Sequence, residues 1–292
     1  MTNSEKGLIW YGVIPAFFSL LVGLCYSIYQ VFAFRSSPFF GNHHMNVNKI
    51  ESLVLDFVNQ NPGITIALVV ISLVVIILYF LLPPLCEGGL IGLVSAIHRE
   101  KKVEASDGIA IGAHYFLKMF EYRMLVATFS FFEFFLVSSL MVRKLGFGGW
   151  VIALMVFLFV ISFLFGFLFI YSENFIVLEN RDLIPAIGGS TKLVVGNFGK
   201  TFLMWLLMLL ISIRVIINII LIFLIPMLVA FVTNFFVSTI MLWLGIALGI
   251  IVGMIVLGLA AYLAGILHVF TTSAWTLTFL SLNPRKAEEL LE

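Results

Sequence analysis

The sequence predicts an all-α, polytopic membrane bundle of six transmembrane helices with amphipathic helices along the membrane surface, and three observations predict it. First, 62% of the 292 residues are hydrophobic and only 11% are charged, with a mean hydropathy of +1.17. Soluble domains carry about 45–50% apolar and about 25% charged residues, so no globular interior could hide this much oily side chain. Second, the apolar residues fall into runs of the ~20 residues that a helix needs to cross hydrocarbon. Third, positive charge is shared unevenly among the connections. Acidic and basic residues nearly cancel, 15 against 16, which excludes nucleic acid as a default partner.

Taken in order, the spans are residues 8–32, 64–82, 124–142, 150–170, 202–231 and 240–268, and residues 1–292 read as one transmembrane domain. The first run continues without a cleavage site after a short core, so it reads as a retained helix and not as a secretory signal. Pro83-Pro84 closes the second span, and Pro226 bends the long fifth one. With both termini inside, the cytoplasmic side holds Lys6, Arg99, Lys101, Lys102, Lys118, Arg123, Arg181, Lys192, Lys200, Arg285 and Lys286. Only Arg35, Lys49, Arg143 and Lys144 fall outside, which is the bias expected of a plasma (bacterial inner) membrane protein with cytoplasmic tails. Trp10, Trp205 and Trp275 then fall at the inner interface and Trp150 and Trp243 at the outer one, where indole is favoured.

The connections carry helical patterns of their own. After the Ser106-Asp107 cap, Ile109, Ala113, Phe116, Leu117 and Phe120 recur opposite His114, Lys118 and Glu121, which predicts an amphipathic surface helix. A second is predicted from Pro185 through Val195, ended by Gly196-Asn197-Phe198-Gly199, and a third between Pro84 and Glu100 around Gly88-Gly89. Ile50, Leu53, Val54, Phe57 and Val58 place the first external connection on the membrane as well. The order span, surface helix, span occurs twice, enclosed by spans two and three and by spans four and five, with Gly112 and Gly189 as the best matching pair.

The stretch from Tyr171 through Glu179, Pro185-Ala-Ile187-Gly-Gly-Ser190 and Leu193-Val-Val-Gly196-Asn-Phe198 resembles the bacterial glycerophosphodiester phosphodiesterase membrane-domain superfamily. Gly88-Gly89-Leu90 through Lys101-Lys102 to Phe116 resembles the first half of the same group. The resemblance implies the membrane architecture only. Fused members hold their catalysis in a separate soluble barrel, and this chain has no stretch of about 250 residues left for one.

Ionisable groups deep in apolar runs are the principal candidate sites. Glu133 lies about 13 Å into span three and Arg214 about 18 Å into span five at 1.5 Å per residue, so the two could pair, with Asn218 one turn beyond Arg214. A structural ion pair and a substrate or proton site both fit that placement. Glu87, Glu173 and Glu179 form an acidic group near the inner interface, within reach of Arg181, Lys192 or Lys200. Gly245, Gly249 and Gly253, continued by Ala261 and Gly265, offer a face for close helix packing, within the monomer or in a homodimer.

Cys25 and Cys86 read as packing residues, and His43-His44 lacks the spacing of a metal pair. No nucleophile elbow, P-loop, zincin or dinucleotide fingerprint occurs. The expectation is therefore a non-enzymatic integral membrane protein without cofactor or metal. It would act as a scaffold binding membrane lipids or an unidentified protein partner at the cytoplasmic face. The alternative is a small-solute or lipid transporter using the Glu133/Arg214 region.

Overall fold

In hydrocarbon a backbone must satisfy its N–H and C=O groups internally, which favours helices, and all regular structure among the described residues is helical. The computed structural model describes residues 3–35, 58–127, 131–146, 148–233 and 239–283. The helices are α1 (Asn3–Arg35), α2 (Pro62–His98), α3 (Asp107–Ala127), α4 (Phe131–Leu145), α5 (Gly149–Leu168), α6 (Ser172–Glu179), α7 (Leu183–Gly196), α8 (Phe198–Thr233) and α9 (Thr239–Leu282).

Among the described residues, five helical stretches are long and apolar enough to cross a membrane: Gly7–Ser27, Pro62–His98, Gly149–Glu179, Phe198–Ile220 and Ile251–Leu282. The described residues are thus all-helical, with five candidate spans. The expected third span, 124–142, is divided between the end of α3 and most of α4, and residues 128–130 between them lie outside the described residues.

Local chemistry accounts for the start of α2 and the end of α6. Pro62 occupies the first turn of α2, where its missing N–H costs nothing, and the Thr65 hydroxyl donates to the Asn61 carbonyl. Asn180, left-handed at φ 51°, ends α6. Pro83-Pro84 do not end α2, which runs unbroken through them for 37 residues. The expected third surface helix is therefore the last part of α2. Both prolines are buried there, so packing on neighbouring helices holds the segment helical despite the lost donors.

That helix has two unlike halves. Residues from Ile64 to Leu81 are largely exposed, with Ile66 at 65%, whereas Leu90, Ile91 and Leu93 are fully buried. The same division recurs in α5, exposed from Ile152 to Phe165 but buried at Phe167, and in α9, exposed at Ile251 but buried at Trp275 and Phe279. One core joins Ile91, Met119, Tyr122, Phe167, Tyr171, Phe175, Ile176, Val194 and Phe279, and a smaller one joins Tyr11, Cys86, Leu90, Leu93 and Val94.

Glycines set the closest approaches in this packed half. A Cβ on Gly112 of α3 would collide with the Leu85 carbonyl oxygen of α2, and one on Gly89 would collide with the Gly108 carbonyl. Likewise Gly12 of α1 lies against the Gly265 backbone of α9, so the small-residue face of α9 reaches a partner at Gly265. Gly253 faces open space, and the surroundings of Gly245 and Gly249 lie outside the described residues.

Candidate functional site

The break between α5 and α6 creates the site. α5 ends at Leu168 and α6 restarts at Ser172, so carbonyl and amide groups at the break lose their helical partners. Ser190 of α7 replaces them: its hydroxyl donates to the Leu168 carbonyl at 2.7 Å and accepts from the Tyr171 N–H at 3.1 Å. Tyr122 of α3 donates its hydroxyl to the Phe169 carbonyl at 3.1 Å. With the break held from both sides, α6 carries Glu173 and Asn174 inward.

Four helices then surround a cavity of about 240 Å³. α2 contributes Glu87 and Ile91, α3 contributes Tyr122 and Val126, and the α5–α6 segment contributes Phe169, Ile170, Glu173 and Asn174. α9 adds His268, Thr271, Thr272 and Trp275. Arg123 donates from Nη1 to Glu87 Oε2 at 2.8 Å, and His268 Nε2 lies 3.9 Å from Glu87 Oε1. The Glu87 and Glu173 carboxyls are themselves hydrogen-bonded. A hydrogen bond between two carboxyl groups requires one proton between them, as in other acid pairs that share a site. Asn174 is 3% exposed, and its Oδ1 has no hydrogen-bond partner. Burial, with Glu173 adding to it, pushes the Tyr122 hydroxyl well above the usual phenol range.

The three glutamates expected to form one acidic group divide into two sites. Glu87 and Glu173 meet in the cavity, with Arg123, which the sequence reading did not name as their partner. Glu179 pairs with Arg181 at 2.6 Å and accepts from Asn283 Nδ2 at 2.8 Å, while Lys192 and Lys200 are exposed. Arg181 also lies over the Phe175 ring, 4.7 Å from its centroid.

Arg214 and Asn218 are both exposed on α8. Glu133 belongs to α4, but its side chain lies outside the described residues, so the Glu133–Arg214 pair remains an expectation. Among the described residues α4 packs chiefly on α5, and α8 chiefly on α9. Trp275, expected at the lipid interface, is 8% exposed and packs edge-on against Tyr171 at 5.6 Å. The site of Cys86 fits packing, since it is buried beside Tyr11, and Cys25 is exposed. His43-His44 lie outside the described residues. Among the described residues, no three His, Cys, Asp or Glu side chains converge as a metal site.

A sequence signal for the acid pair exists in the repeated order. Cys86-Glu87-Gly88 with Leu90-Ile91 parallels Ser172-Glu173-Asn174 with Ile176-Val177, and Ala110-Ile111-Gly112 parallels Ala186-Ile187-Gly188. The contacts run one residue out of that register, through Gly189 and not Gly188. Gly112 packs on Gly89 and Gly189 packs on Phe175, each of these partners two residues after its glutamate. Both glutamates line the same cavity. No protein-family description, curated protein or solved structure matches this chain.

Proposed function

We propose that the chain is a non-enzymatic, multi-pass membrane protein that binds a small polar solute in the four-helix cavity and acts as a transporter. One observation carries this reading: two carboxyls and an imidazole line open space inside an apolar bundle, with the Arg123 guanidinium paired to one of the carboxyls. Charge within a membrane helix costs about 2.5–3.5 kcal/mol at its centre, and such groups concentrate where substrates or protons pass. An ion pair kept only for structure needs no cavity beside it and no buried amide oxygen without a partner. The site differs from the Glu133/Arg214 region but retains the same alternative of solute transport.

In this reading α3 and α4 together make a sixth crossing, and both termini lie on the cytoplasmic side of a plasma membrane. Three contacts support it. Tyr11 near the start of α1 donates to the Ala105 carbonyl, Lys118 reaches Asp182 at 2.8 Å, and Asn283 after α9 bonds Glu179. These contacts tie the chain's ends to the basic connections. Kinship with the glycerophosphodiester phosphodiesterase membrane domains is proposed on the quoted motif, whose Ser190 has the structural task of closing the α5–α6 break. No phosphodiesterase activity goes with it.

A second reading, a scaffold binding lipid or a protein partner at the inner surface, is favoured by the apolar faces of α3 and α7. Ile184 is 80% exposed, and Leu117 and Val195 are also exposed beside the surface cations. The two readings separate in sealed vesicles loaded with a pH-sensitive dye. Gradients of ammonium, carboxylate, phosphate-ester and zwitterionic solutes are applied to the reconstituted protein and to Glu87→Gln and Glu173→Gln. Transport predicts that at least one solute class moves protons through the wild type and that both variants lose the signal. Flat traces for the whole panel favour the scaffold.

A further inference from the structure

The buried side-chain polar atom left without a partner in the cavity lining is an acceptor. Arg123 is committed to Glu87, and the Tyr122 hydroxyl is committed to the Phe169 carbonyl. The unpartnered atom is the Asn174 Oδ1, and the Glu87–Glu173 pair adds further lone pairs beside it. A buried acceptor without a donor is costly, so the natural occupant is a donor.

Charge points to the same class. With one shared proton, Glu87 and Glu173 together carry one negative charge, which Arg123 balances. Removing the shared proton leaves one uncompensated negative charge in a low-dielectric site, and a monovalent cation restores neutrality one for one. Trp275, Phe169 and Tyr122 line the same space, and aromatic faces favour organic cations. The volume of about 240 Å³ corresponds to roughly eight water molecules at about 30 Å³ each. A small ligand fits this volume.

We propose that this cavity binds a small organic ammonium ion, held by Glu173, Glu87 and the Asn174 amide oxygen, in exchange for the proton the two glutamates share. This rests on the solute-site reading above and names its ligand class. On binding, the ammonium keeps its own protons, and the shared proton leaves to water. The groups facing that proton are Glu87 from α2, Arg123 and Tyr122 from α3, Glu173 from α6 and His268 from α9.

Ethylammonium is the probe, with acetate and potassium ion as comparisons, added to the full-length protein in detergent in weakly buffered solution near neutral pH. Binding is followed by calorimetry and proton release by a pH-sensitive dye. The expected result is saturable binding with one proton released per ethylammonium. Glu173→Gln should weaken it about 30-fold or more, as for loss of one member of a buried charge pair. The thermal unfolding of that variant, read by Trp fluorescence, shows that it is folded.

Asn174→Asp serves as a second variant. An added acceptor charge should retain or strengthen binding. Acetate binding in place of ethylammonium overturns the ammonium assignment but leaves the solute site intact. Potassium acting as strongly as ethylammonium overturns the organic specificity. No binding of any of the three by folded protein overturns the proposal, and the vesicle panel then decides whether the solute site falls with it.

Discussion

The two halves of α2 belong to one unbroken helix and have opposite surroundings. From Ile64 to Leu81 the side chains point outward all round, as they can only where the solvent is lipid. From Pro83 to Ser95 nearly every residue is buried, and here the helix carries Glu87 and the glycines that admit α3. The contrast teaches that hydropathy marks where a chain meets lipid, whereas function gathers where apolar sequence is interrupted by glycine, proline and a single acid. Packing in the second half is backbone on backbone, and tolerance to substitution should differ accordingly.

The largest expected effect breaks that packing. Gly112→Ala drives a Cβ into the Leu85 carbonyl and Gly89 amide, atoms that cannot rotate away, and should cost about 3 kcal/mol or more of stability. Gly253→Ala, in the open, should be neutral or stabilise by up to about 1 kcal/mol through helix propensity. Thermal unfolding in detergent compares them, and equal effects would erase the distinction between the halves.

Next comes the ion pair. Glu87 is buried but Arg123 is partly exposed, so Arg123→Met should cost about 2–3 kcal/mol, below the range for a fully buried pair. Adding Glu87→Gln should recover part of the loss, and strict additivity in the double-mutant cycle would deny the coupling. Ser190→Ala strands the Leu168 carbonyl and the Tyr171 amide and should cost about 1–3 kcal/mol, whereas Thr191→Ala, whose hydroxyl only bonds Ile187 within its own helix, should change little.

The smallest effect is a pH dependence. Burial first, and Glu173 second, raise the Tyr122 hydroxyl above its unfolded value. A raised pKa means the folded state holds this proton more tightly, so the contribution is fully present below the unfolded value near about 10. It is lost as pH climbs from there through the folded value. Tyr122→Phe should therefore show a shallower alkaline loss of stability than the wild type. Identical slopes would mean that Tyr122 does not titrate as a buried group.

Much of the architecture was legible in the sequence, because a run such as 64–82 declares its solvent by composition alone. The acids of the site were legible as residue types. Their partners were not, since the meeting of Glu87 with Arg123 and His268 depends on helix crossings that Gly89 and Gly112 permit and that no local pattern encodes. Pro83-Pro84 suggested a stop where packing sustains the helix. Conversely, nothing in the apolar run through Phe169 announced the α5–α6 break, because Ser190 compensates it from 21 residues downstream. Trp275 suggested an interface anchor by type, but Tyr171 and Phe279 enclose it.

The central claim is that a polar, water-reached cavity exists in the packed half, while the other half faces lipid. Thr271→Cys in the cavity and Val69→Cys on the exposed half of α2 test it directly, each in a background with Cys25→Ala and Cys86→Ala, in sealed vesicles treated with a charged, membrane-impermeant thiol reagent. The account predicts labelling of Thr271→Cys from one side only and none of Val69→Cys, although the latter is the more exposed position. Labelling of Val69→Cys with Thr271→Cys left untouched would contradict it.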